Sequence, residues 1–275
     1  MNTKERKDII RNFEKQLHKE GASNNTIISY SWTVNDFYKR YEALTFTNLL
    51  KYKEYLIKNN APGTVNIRCL ALNRYLTTIK RNTLKLKVVK VQRKPFVENV
   101  ISEADYKYLK RRLKKDKRYK YYFLVWFMAG TGARVSEVIN FKVEDLENGY
   151  MDIYGKGTKY RRIYIPKRLQ TEAIKWTKEE NRVSGYLFLN NLNEQISPKG
   201  IGKQIQKYGV DYGIDKKVLH PHSFRHLFAK KFLANYDDIV LLADILGHCN
   251  LETTRIYTRK SSTEQQQLFN AIVTW

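Results

Sequence analysis

The sequence predicts a mainly α-helical fold with one small antiparallel β-sheet, divided into an N-terminal helical bundle and a larger mixed α/β domain. Apolar residues recur at helical spacing through most of the 275 residues. Only residues 149–154 and 161–165 alternate as strands do, and the loop 155–159 between them has the composition of a hairpin connection. A basic segment that contains Pro95 and lacks helical periodicity separates the two parts near residues 84–97.

Residues 1–84 are predicted to form a bundle of four helices. The expected helices cover residues 4–19, 25–41, 45–59 and 64–80. One face of the second helix is apolar and should be buried; it consists of Ile27, Tyr30, Val34 and Phe37. Ser23 suits the N-cap of this helix, because a serine hydroxyl can accept a hydrogen bond from a free backbone N–H. Pro62 and Gly63 are expected to interrupt the chain before the fourth helix.

Residues 85–97 are predicted to be a basic linker, and residues 98–275 to form the second domain. Positive charge lies on both sides of the linker, since residues 1–94 hold 20 of the 51 basic residues and only 7 of the 27 acidic ones. Two positively charged domains with a basic connector are typical of a clamp around a nucleic-acid duplex. They fit less well with a globular enzyme that carries one basic arm.

Helices also dominate the second domain. Ser102 and Asp105 have the spacing of a capping box, which predicts a helix from there to about residue 114. The apolar stretch 121–129 is expected to be a buried helix, and a glycine turn precedes a helix over 134–141. After the hairpin, helices are predicted over residues 167–180, 198–212, 222–235 and 237–246, and again from residue 251 onward.

The net charge of +24 and the isoelectric point of about 9.8 indicate a polyanionic partner, of which nucleic acid is the most common. An acidic membrane surface is the alternative, but the sequence has no basic amphipathic anchor. The longest apolar stretch without a charge, residues 121–133, is shorter than the ~20 residues that a bilayer span needs. Because the charged N-terminus also lacks a signal-peptide core, we expect a cytoplasmic protein.

Three short motifs in the second domain combine residue types that bind phosphate. Arg134 follows a glycine turn at a helix start, where a guanidinium and free backbone N–H groups can meet an anion. His222 and Arg225 lie three residues apart and therefore share a helix face. Lys156 and Lys159 occupy the hairpin loop and could reach a phosphate. Taken one at a time, each motif also fits an ordinary surface helix or turn.

Zinc binding is the competing interpretation of the histidines, because four of the five lie between His220 and His248, next to Cys249. Structural zinc sites have paired ligand spacings such as Cys-x-x-Cys, and this sequence has no such pair. The sequence therefore predicts no metal site. With Cys69 as the other cysteine, it also indicates no disulfide framework.

Taken together, the motifs resemble the tyrosine recombinase (phage integrase) family. The matching segments, in the family's order, are Thr131–Glu137, Gly155–Gly157, His222–His226, Leu246–His248 and Ile256–Thr258. The step of nine residues from His248 to Tyr257 fits the same pattern. Ala133 departs from it, since many members carry leucine there, without affecting the chemistry.

The resemblance implies a SAM-like core-binding domain followed by a mixed α/β catalytic domain, the simple two-domain form of Xer recombinases, with a C-terminal exchange helix over residues 259–275. It implies the catalytic residues Arg134, Lys156, His222, Arg225 and His248, with Tyr257 as nucleophile. Glu137 and His226 are expected to contact these catalytic side chains and orient them.

By the same resemblance, Tyr257 attacks a DNA phosphodiester, forms a 3′-phosphotyrosyl bond and releases a 5′-hydroxyl. A free phenol has a pKa of about 10 and is a poor nucleophile at neutral pH, so it needs help. Arg134 and Arg225 would hold the two non-bridging oxygens, because the guanidinium fork matches phosphate geometry. Lys156 would protonate the leaving oxygen, with Lys159 as its rival on the same loop.

His222 is the expected proton acceptor near the tyrosine, and His248 is expected to donate a hydrogen bond to the phosphate. The resemblance also implies no cofactor, neither metal nor ATP; the exchange of one phosphoester for another of similar energy agrees with a reaction that needs no outside energy. The bond could then pass to a second strand, and repetition on four strands would recombine two duplexes through a Holliday junction.

The expected partners are duplex DNA with specific recombination sites and further copies of the chain, monomeric in solution and a homotetramer on synapsed DNA, with no membrane. The candidate DNA contacts are Thr26, Tyr30, Thr64 and Arg68 in the first domain, Arg93 and Lys94 in the linker, and Lys159 and Arg161 at the hairpin. An apolar stripe in the C-terminal helix could dock into a neighbouring subunit or pack on its own domain; it consists of Leu268, Phe269, Ile272 and Val273.

Two alternatives share the fold and the charge. One is a topoisomerase-like strand transferase that also forms a 3′-phosphotyrosine, and the helical first domain and the spacing from His248 to Tyr257 speak against it. The other is a catalytically silent DNA-binding protein, which the complete set of expected catalytic residues disfavours. Integration and excision of a mobile element, inversion and resolution all remain open as biological roles.

Overall fold

The computed structural model describes residues 3–91, 98–154, 160–248, 250–257 and 262–274. It is mainly helical and, within these residues, contains a single sheet of two strands, which confirms the predicted fold class. The chain divides into two compact units, Met1–Arg93 and Lys94–Trp275. Each unit has its own buried apolar core.

The first unit is the expected bundle of four helices. They are α1 (Thr3–Lys19), α2 (Asn24–Arg40), α3 (Phe46–Asn59) and α4 (Pro62–Thr78). The predicted N-cap is confirmed, since the hydroxyl of Ser23 accepts a hydrogen bond from the backbone N–H of Thr26. Pro62 begins α4 rather than interrupting the chain before it, because the first turn of a helix leaves backbone N–H groups unpaired and proline has none to lose.

The predicted apolar face of α2 lies in the core of this unit, where Val34 and Phe37 are completely buried. The chain after α4 also belongs here. Leu86 is buried in the same core, and the side-chain amide of Asn73 hydrogen-bonds to its backbone N–H and carbonyl. Asn66 pairs in the same way with the backbone of Val89. The first unit therefore extends beyond residue 84, where the sequence placed the start of the linker.

The second unit contains ten α-helices and the hairpin among its described residues, together with a short 3-10 helix over Lys216–Val218. In chain order the α-helices and strands are α5 (Glu103–Lys115), α6 (Tyr119–Thr131), α7 (Val135–Val138), α8 (Val143–Asn148), β1 (Tyr150–Tyr154), β2 (Tyr160–Tyr164), α9 (Lys167–Glu179), α10 (Pro198–Asp211), α11 (Pro221–Asn235), α12 (Ile239–Leu246), α13 (Leu251–Arg255) and α14 (Ser262–Ile272). The strands pair antiparallel, with Asp152 opposite Arg162. The hairpin loop lies outside the described residues.

The centre of this unit is α6, which is apolar on nearly every face and packs against α5, α9 and α11. The ring of Phe127 lies at its middle and meets Phe141 at 4.9 Å and Phe188 at 5.5 Å between ring centroids. Buried aromatic pairs of this kind contribute more than their buried area alone. A helix surrounded on all sides fixes the positions of its neighbours, including the start of α11.

The prediction of one helix over residues 134–141 is wrong. The helix α7 ends at Val138, and the chain then turns so that Phe141 enters the core. There its carbonyl accepts a hydrogen bond from the backbone N–H of Leu187. A separate helix, α8, follows, which the sequence did not predict. Long-range packing therefore outweighs the local preference for a longer helix.

No helix among the described segments is long and apolar enough to cross a membrane.

The predicted capping residue of α5 is confirmed, since the Ser102 hydroxyl accepts a hydrogen bond from the backbone N–H of Asp105. In a capping box the carboxylate accepts from the backbone N–H of the capping residue. Here the carboxylate of Asp105 accepts from the hydroxyl of Ser102 instead.

The close approach of α10 to the segment after it gives a stability prediction. A Cβ atom at Gly209 would clash with the completely buried side chain of Leu219. We expect Gly209→Ala to lower the free energy of unfolding by about 1–2 kcal/mol, since overpacking costs more than the helix gains from alanine. Urea denaturation of the full chain measures this change.

The matched control is Gly202→Ala in the same helix, where the nearest atom to the new Cβ is Pro221 Cδ at 3.9 Å. That variant should be neutral or more stable by up to about 1 kcal/mol. Equal effects of the two substitutions would contradict this account of the packing.

Candidate active site

Arg225 is the most deeply buried cation of the site, with only 3% of its surface exposed. Its Nη1 donates to the carbonyl of Gly132 at 2.7 Å, and its Nη2 donates to the carbonyl of Leu246 at 2.9 Å. Both carbonyls lie at the C-terminal ends of helices, α6 and α12, where backbone oxygens lack helical partners and the helix dipole favours a cation. Burial lowers the pKa of Arg225, and a hydrogen bond with Tyr257 acts in the opposite direction.

Glu137 ties Arg225 to two further arginines. Its carboxylate accepts hydrogen bonds from Nη1 of Arg134 at 2.9 Å and from Nη2 of Arg161 at 2.8 Å, and Nη1 of Arg225 lies 4.0 Å away. It also accepts from the backbone N–H of Arg134 at 2.6 Å, which caps α7. A single, largely buried carboxylate therefore holds three guanidinium groups in one place.

Two glycines in the left-handed region let the chain pass close to the side chains of the site. Gly132 has φ of 65°, and a Cβ there would clash with Phe228 and Leu246. Gly247 has φ of 64°, and a Cβ there would meet the side chain of Arg161 at close to 2.5 Å. Any larger residue at either position would be strained in conformation and would displace a neighbour.

His248 follows directly after Gly247 and is bound at both ring nitrogens. Its Nε2 lies 2.8 Å from Nη2 of Arg225, and its Nδ1 lies 2.8 Å from Oγ1 of Thr254. Burial and the nearby cations, Arg225 first among them, lower the pKa of His248 to about 4. The ring is therefore neutral near pH 7.

Tyr257 is buried, with 7% of its surface exposed, and packs with Leu242 and Leu246 of α12. Its ring is stacked on His248, with 5.9 Å between centroids. The ring of His226 meets it edge-on at 4.8 Å. Burial, followed by the neighbouring positive charges, lowers the pKa of His226 to about 4. Two neutral imidazoles therefore hold the phenol ring from different sides.

His222 lies on the first turn of α11, three residues before Arg225, and its side chain is exposed at the surface of the site. Partial desolvation, together with the charge of Arg225, lowers its pKa. The structure thus brings together five of the six expected catalytic residues, with Glu137 and His226 in contact with them. The sixth, Lys156, lies outside the described residues, as does its rival Lys159.

The candidate DNA contacts of the first unit are half-buried on α2 and α4. The hydroxyl of Thr26 shares a hydrogen bond with Ser23, and Tyr30 packs against the core. Thr64 lies in the first turn of α4.

Arg68 is engaged within the unit rather than extended into solvent. Its Nη1 donates to the Ser29 carbonyl and to the buried hydroxyl of Thr33, and its guanidinium lies 4.1 Å from the ring centre of Trp32. Arg68 therefore joins α4 to α2. The linker candidates Arg93 and Lys94 lie outside the described residues.

The placement of Arg161 differs from the expected surface contact with DNA, because its side chain is 13% exposed and paired with Glu137. It also donates a hydrogen bond to the carbonyl of Leu246. The alternation of side chains along β2 could have predicted this burial, because Arg161 shares a face with Ile163, which is buried.

Among the described residues, no cluster of three or more histidine, cysteine or acidic side chains could hold a metal ion.

Comparison with known proteins places this geometry in a family. The model of the phage integrase family matches residues 97–264. Tyrosine recombinase XerA of Pyrococcus furiosus is 32% identical, over 98% of this chain and 97% of that protein. Tyrosine recombinase XerC of Escherichia coli O127:H6 is 33% identical, over 52% of this chain and 50% of that protein.

Solved structures agree in fold. XerH site-specific recombinase bound to its difH substrate has a TM-score of 0.68 at 21% identity, with 94% of this chain and 83% of that chain covered. A lambda integrase tetramer bound to a Holliday junction has a TM-score of 0.72 at 14% identity, with 93% and 78% covered. The family model spans more than half of the chain and the XerA match spans nearly all of it, so this protein belongs to the phage integrase family of tyrosine recombinases.

Proposed function

We propose that this protein is a site-specific DNA recombinase that cleaves and rejoins duplex DNA through a 3′-phosphotyrosyl intermediate. The observation that carries the proposal is the meeting of Tyr257, His248 and the three arginines around Glu137 in one site. A phenol beside a cluster of guanidinium groups provides a nucleophile and a place for the negative charge of a phosphate.

The reaction follows from these groups. The Tyr257 oxygen forms a bond to phosphorus, the bond from phosphorus to the 5′-oxygen breaks, and the phenolic proton passes to His222. The exposed, neutral ring of His222 suits a proton acceptor at the mouth of the site. Arg134 and Arg225 hold the non-bridging oxygens, and Lys156 protonates the leaving 5′-oxygen. The phosphotyrosyl bond retains the energy of the broken ester, so the proposed reaction needs no ATP, and the guanidinium groups take the place of a metal ion in offsetting the charge of the phosphate.

In the free protein the nucleophile is not presented to a partner. Tyr257 is 7% exposed, and its ring lies between two histidines. Because so little of the side chain is exposed, we propose that binding of a duplex shifts α13 and Tyr257 towards the surface. This arrangement keeps the nucleophile out of solvent until DNA is in place.

The partners of the proposed reaction are duplex DNA with specific sites and further copies of the chain. The C-terminal helix α14 supports assembly, because its apolar side chains lie in solvent: Leu268 is 38%, Phe269 64% and Ile272 65% exposed. We propose that this stripe docks on a neighbouring subunit, as part of a tetramer on synapsed DNA. The lambda integrase match, a tetramer on a Holliday junction, supports this assembly.

The first prediction concerns the nucleophile. Wild-type protein incubated with a nicked suicide duplex from the gene's flanking DNA should form a covalent complex in the presence of EDTA, which denaturing gel electrophoresis detects. Tyr257→Phe should abolish the complex, because the attacking oxygen is gone. The control is Tyr236→Phe at an exposed tyrosine of the segment after α11, which should retain wild-type yield. A complex that persists in Tyr257→Phe would contradict the assignment.

The second prediction concerns α14. Replacement of Leu268, Phe269 and Ile272 by serine should weaken synapsis of two duplexes at least about tenfold, since buried apolar anchors dominate interfaces. Binding to a single site should change less than about twofold. Sedimentation of the protein–DNA complexes separates the two states. The control is serine at the exposed Gln267 and Asn270 of the same helix. Equal loss of synapsis and single-site binding, or loss of neither, would contradict the docking.

The third prediction follows from the lowered pKa of His226. In the unfolded chain a histidine has a pKa of about 6.5, whereas the pKa of His226 in the folded protein is about 4. The unfolded state therefore binds protons first as the pH falls, and stability should decrease between pH 6.5 and 4. His226→Phe should remove roughly 1–3 kcal/mol of this decrease.

Urea denaturation at pH 7 and pH 4.5 measures the effect. His18→Gln, at an exposed histidine of α1, is the control and should keep the wild-type difference between the two pH values. If His226→Phe shows the wild-type difference as well, the neutral state of His226 is not linked to folding.

A further inference from the structure

Thr254 lies on α13, three residues before Tyr257, and is completely buried. Its Oγ1 is 2.8 Å from Nδ1 of His248, whose other ring nitrogen, Nε2, is 2.8 Å from Nη2 of Arg225. The imidazole therefore bridges the expected phosphate-binding arginine and a threonine that no motif of the sequence analysis included.

The chemistry of these partners fixes the proton of His248. A guanidinium has only donors, so Nε2 must accept the hydrogen bond from Arg225. A neutral imidazole that accepts at one nitrogen carries its proton on the other, so the Nδ1–H of His248 donates to Oγ1 of Thr254. The charged groups that face this ring are Arg225, Arg134, Arg161 and Glu137. The three cations favour the neutral ring that this assignment requires.

We propose that Thr254 is a positioning residue: it holds His248 in the Nδ1–H tautomer in the free protein and allows that tautomer to reverse when a phosphodiester arrives. The inference rests on the proposed function, because only a bound phosphodiester supplies the oxygen that replaces Arg225 as the partner of Nε2.

The reversal uses the dual character of a hydroxyl. When Arg225 turns to the phosphate, Nε2 loses its donor, takes up a proton from water, and Nδ1 releases its proton to water, so the ring stays neutral. The Nε2–H then donates to a non-bridging oxygen, while the hydroxyl of Thr254 donates to Nδ1. Serine could serve in both states, whereas valine, which has the shape of threonine, could serve in neither.

The first test reads the tautomer directly. In full-length protein labelled with 15N-histidine, the signals of His248 are those that disappear in His248→Gln. At pH 7 we expect Nδ1 protonated and Nε2 unprotonated in wild type and in Thr254→Ser. In Thr254→Val the Nδ1–H would be buried without an acceptor while Arg225 still favours this tautomer, so the Nδ1 signal should shift and its proton should exchange faster with water. Addition of the nicked duplex should move the wild-type proton to Nε2.

The second test reads the rate of covalent complex formation on the suicide duplex. Thr254→Val should slow it roughly tenfold, in keeping with one unsatisfied buried polar group. Thr254→Ser should stay within about twofold of wild type. The matched control is Thr253→Val, the same substitution at the exposed neighbouring position on α13.

The outcomes separate the two proposals. An unprotonated Nδ1 in the free wild type, an unchanged tautomer on the duplex, or a Thr254→Val protein that matches wild type in both tests overturns the role of Thr254. If the free-protein tautomers respond as expected but wild type forms no covalent complex, the proposed function fails while the hold of Thr254 on His248 stands. Should Thr254→Val not fold, the wild-type tautomers and Thr254→Ser still decide.

Discussion

The carboxylate of Glu137 is the charge on which the site depends. Three guanidinium groups converge on it, and without it their mutual repulsion in a poorly hydrated space would drive them apart. It also caps the short helix α7 through the backbone of Arg134, so the same residue fixes both the charge of the site and the local chain direction. Loss of one partner from such a buried set leaves the remaining charges uncompensated, which is costly.

Backbone carbonyl oxygens compensate part of the positive charge that Glu137 leaves. Helices α6 and α12 both end in a left-handed glycine, and the carbonyls of Gly132 and Leu246 at these ends accept from Arg225. Because α6 is enclosed by its neighbours, the position of its last turn is fixed by core packing. The location of a charged side chain thus depends on apolar contacts far along the same helix.

The sequence predicted the parts of this structure that local patterns determine. Helical periodicity located the main helices, and the order of the motifs identified the residues that now meet around Tyr257. It could not predict that α7 ends at Val138, because the reason is a contact between Phe141 and Leu187, which are distant in the chain. Arg161 and Arg68 looked like surface cations for the same reason: the acidic and carbonyl groups that engage them lie on other elements. Thr254 has no motif of its own, and its partner His248 identifies it only in three dimensions.

The charge of the arginine cluster suits the proposed transition state better than the ground state. Three guanidinium groups and one carboxylate leave two net positive charges beside Tyr257. A phosphodiester brings one negative charge, whereas attack by a deprotonated phenol creates a phosphorus centre with two. The attraction between the guanidinium groups and the phosphate therefore grows as the second negative charge develops, which is the difference that accelerates a reaction. Glu137 reduces that positive charge by one, so its part is to hold the three guanidinium groups together at the place where the second negative charge develops.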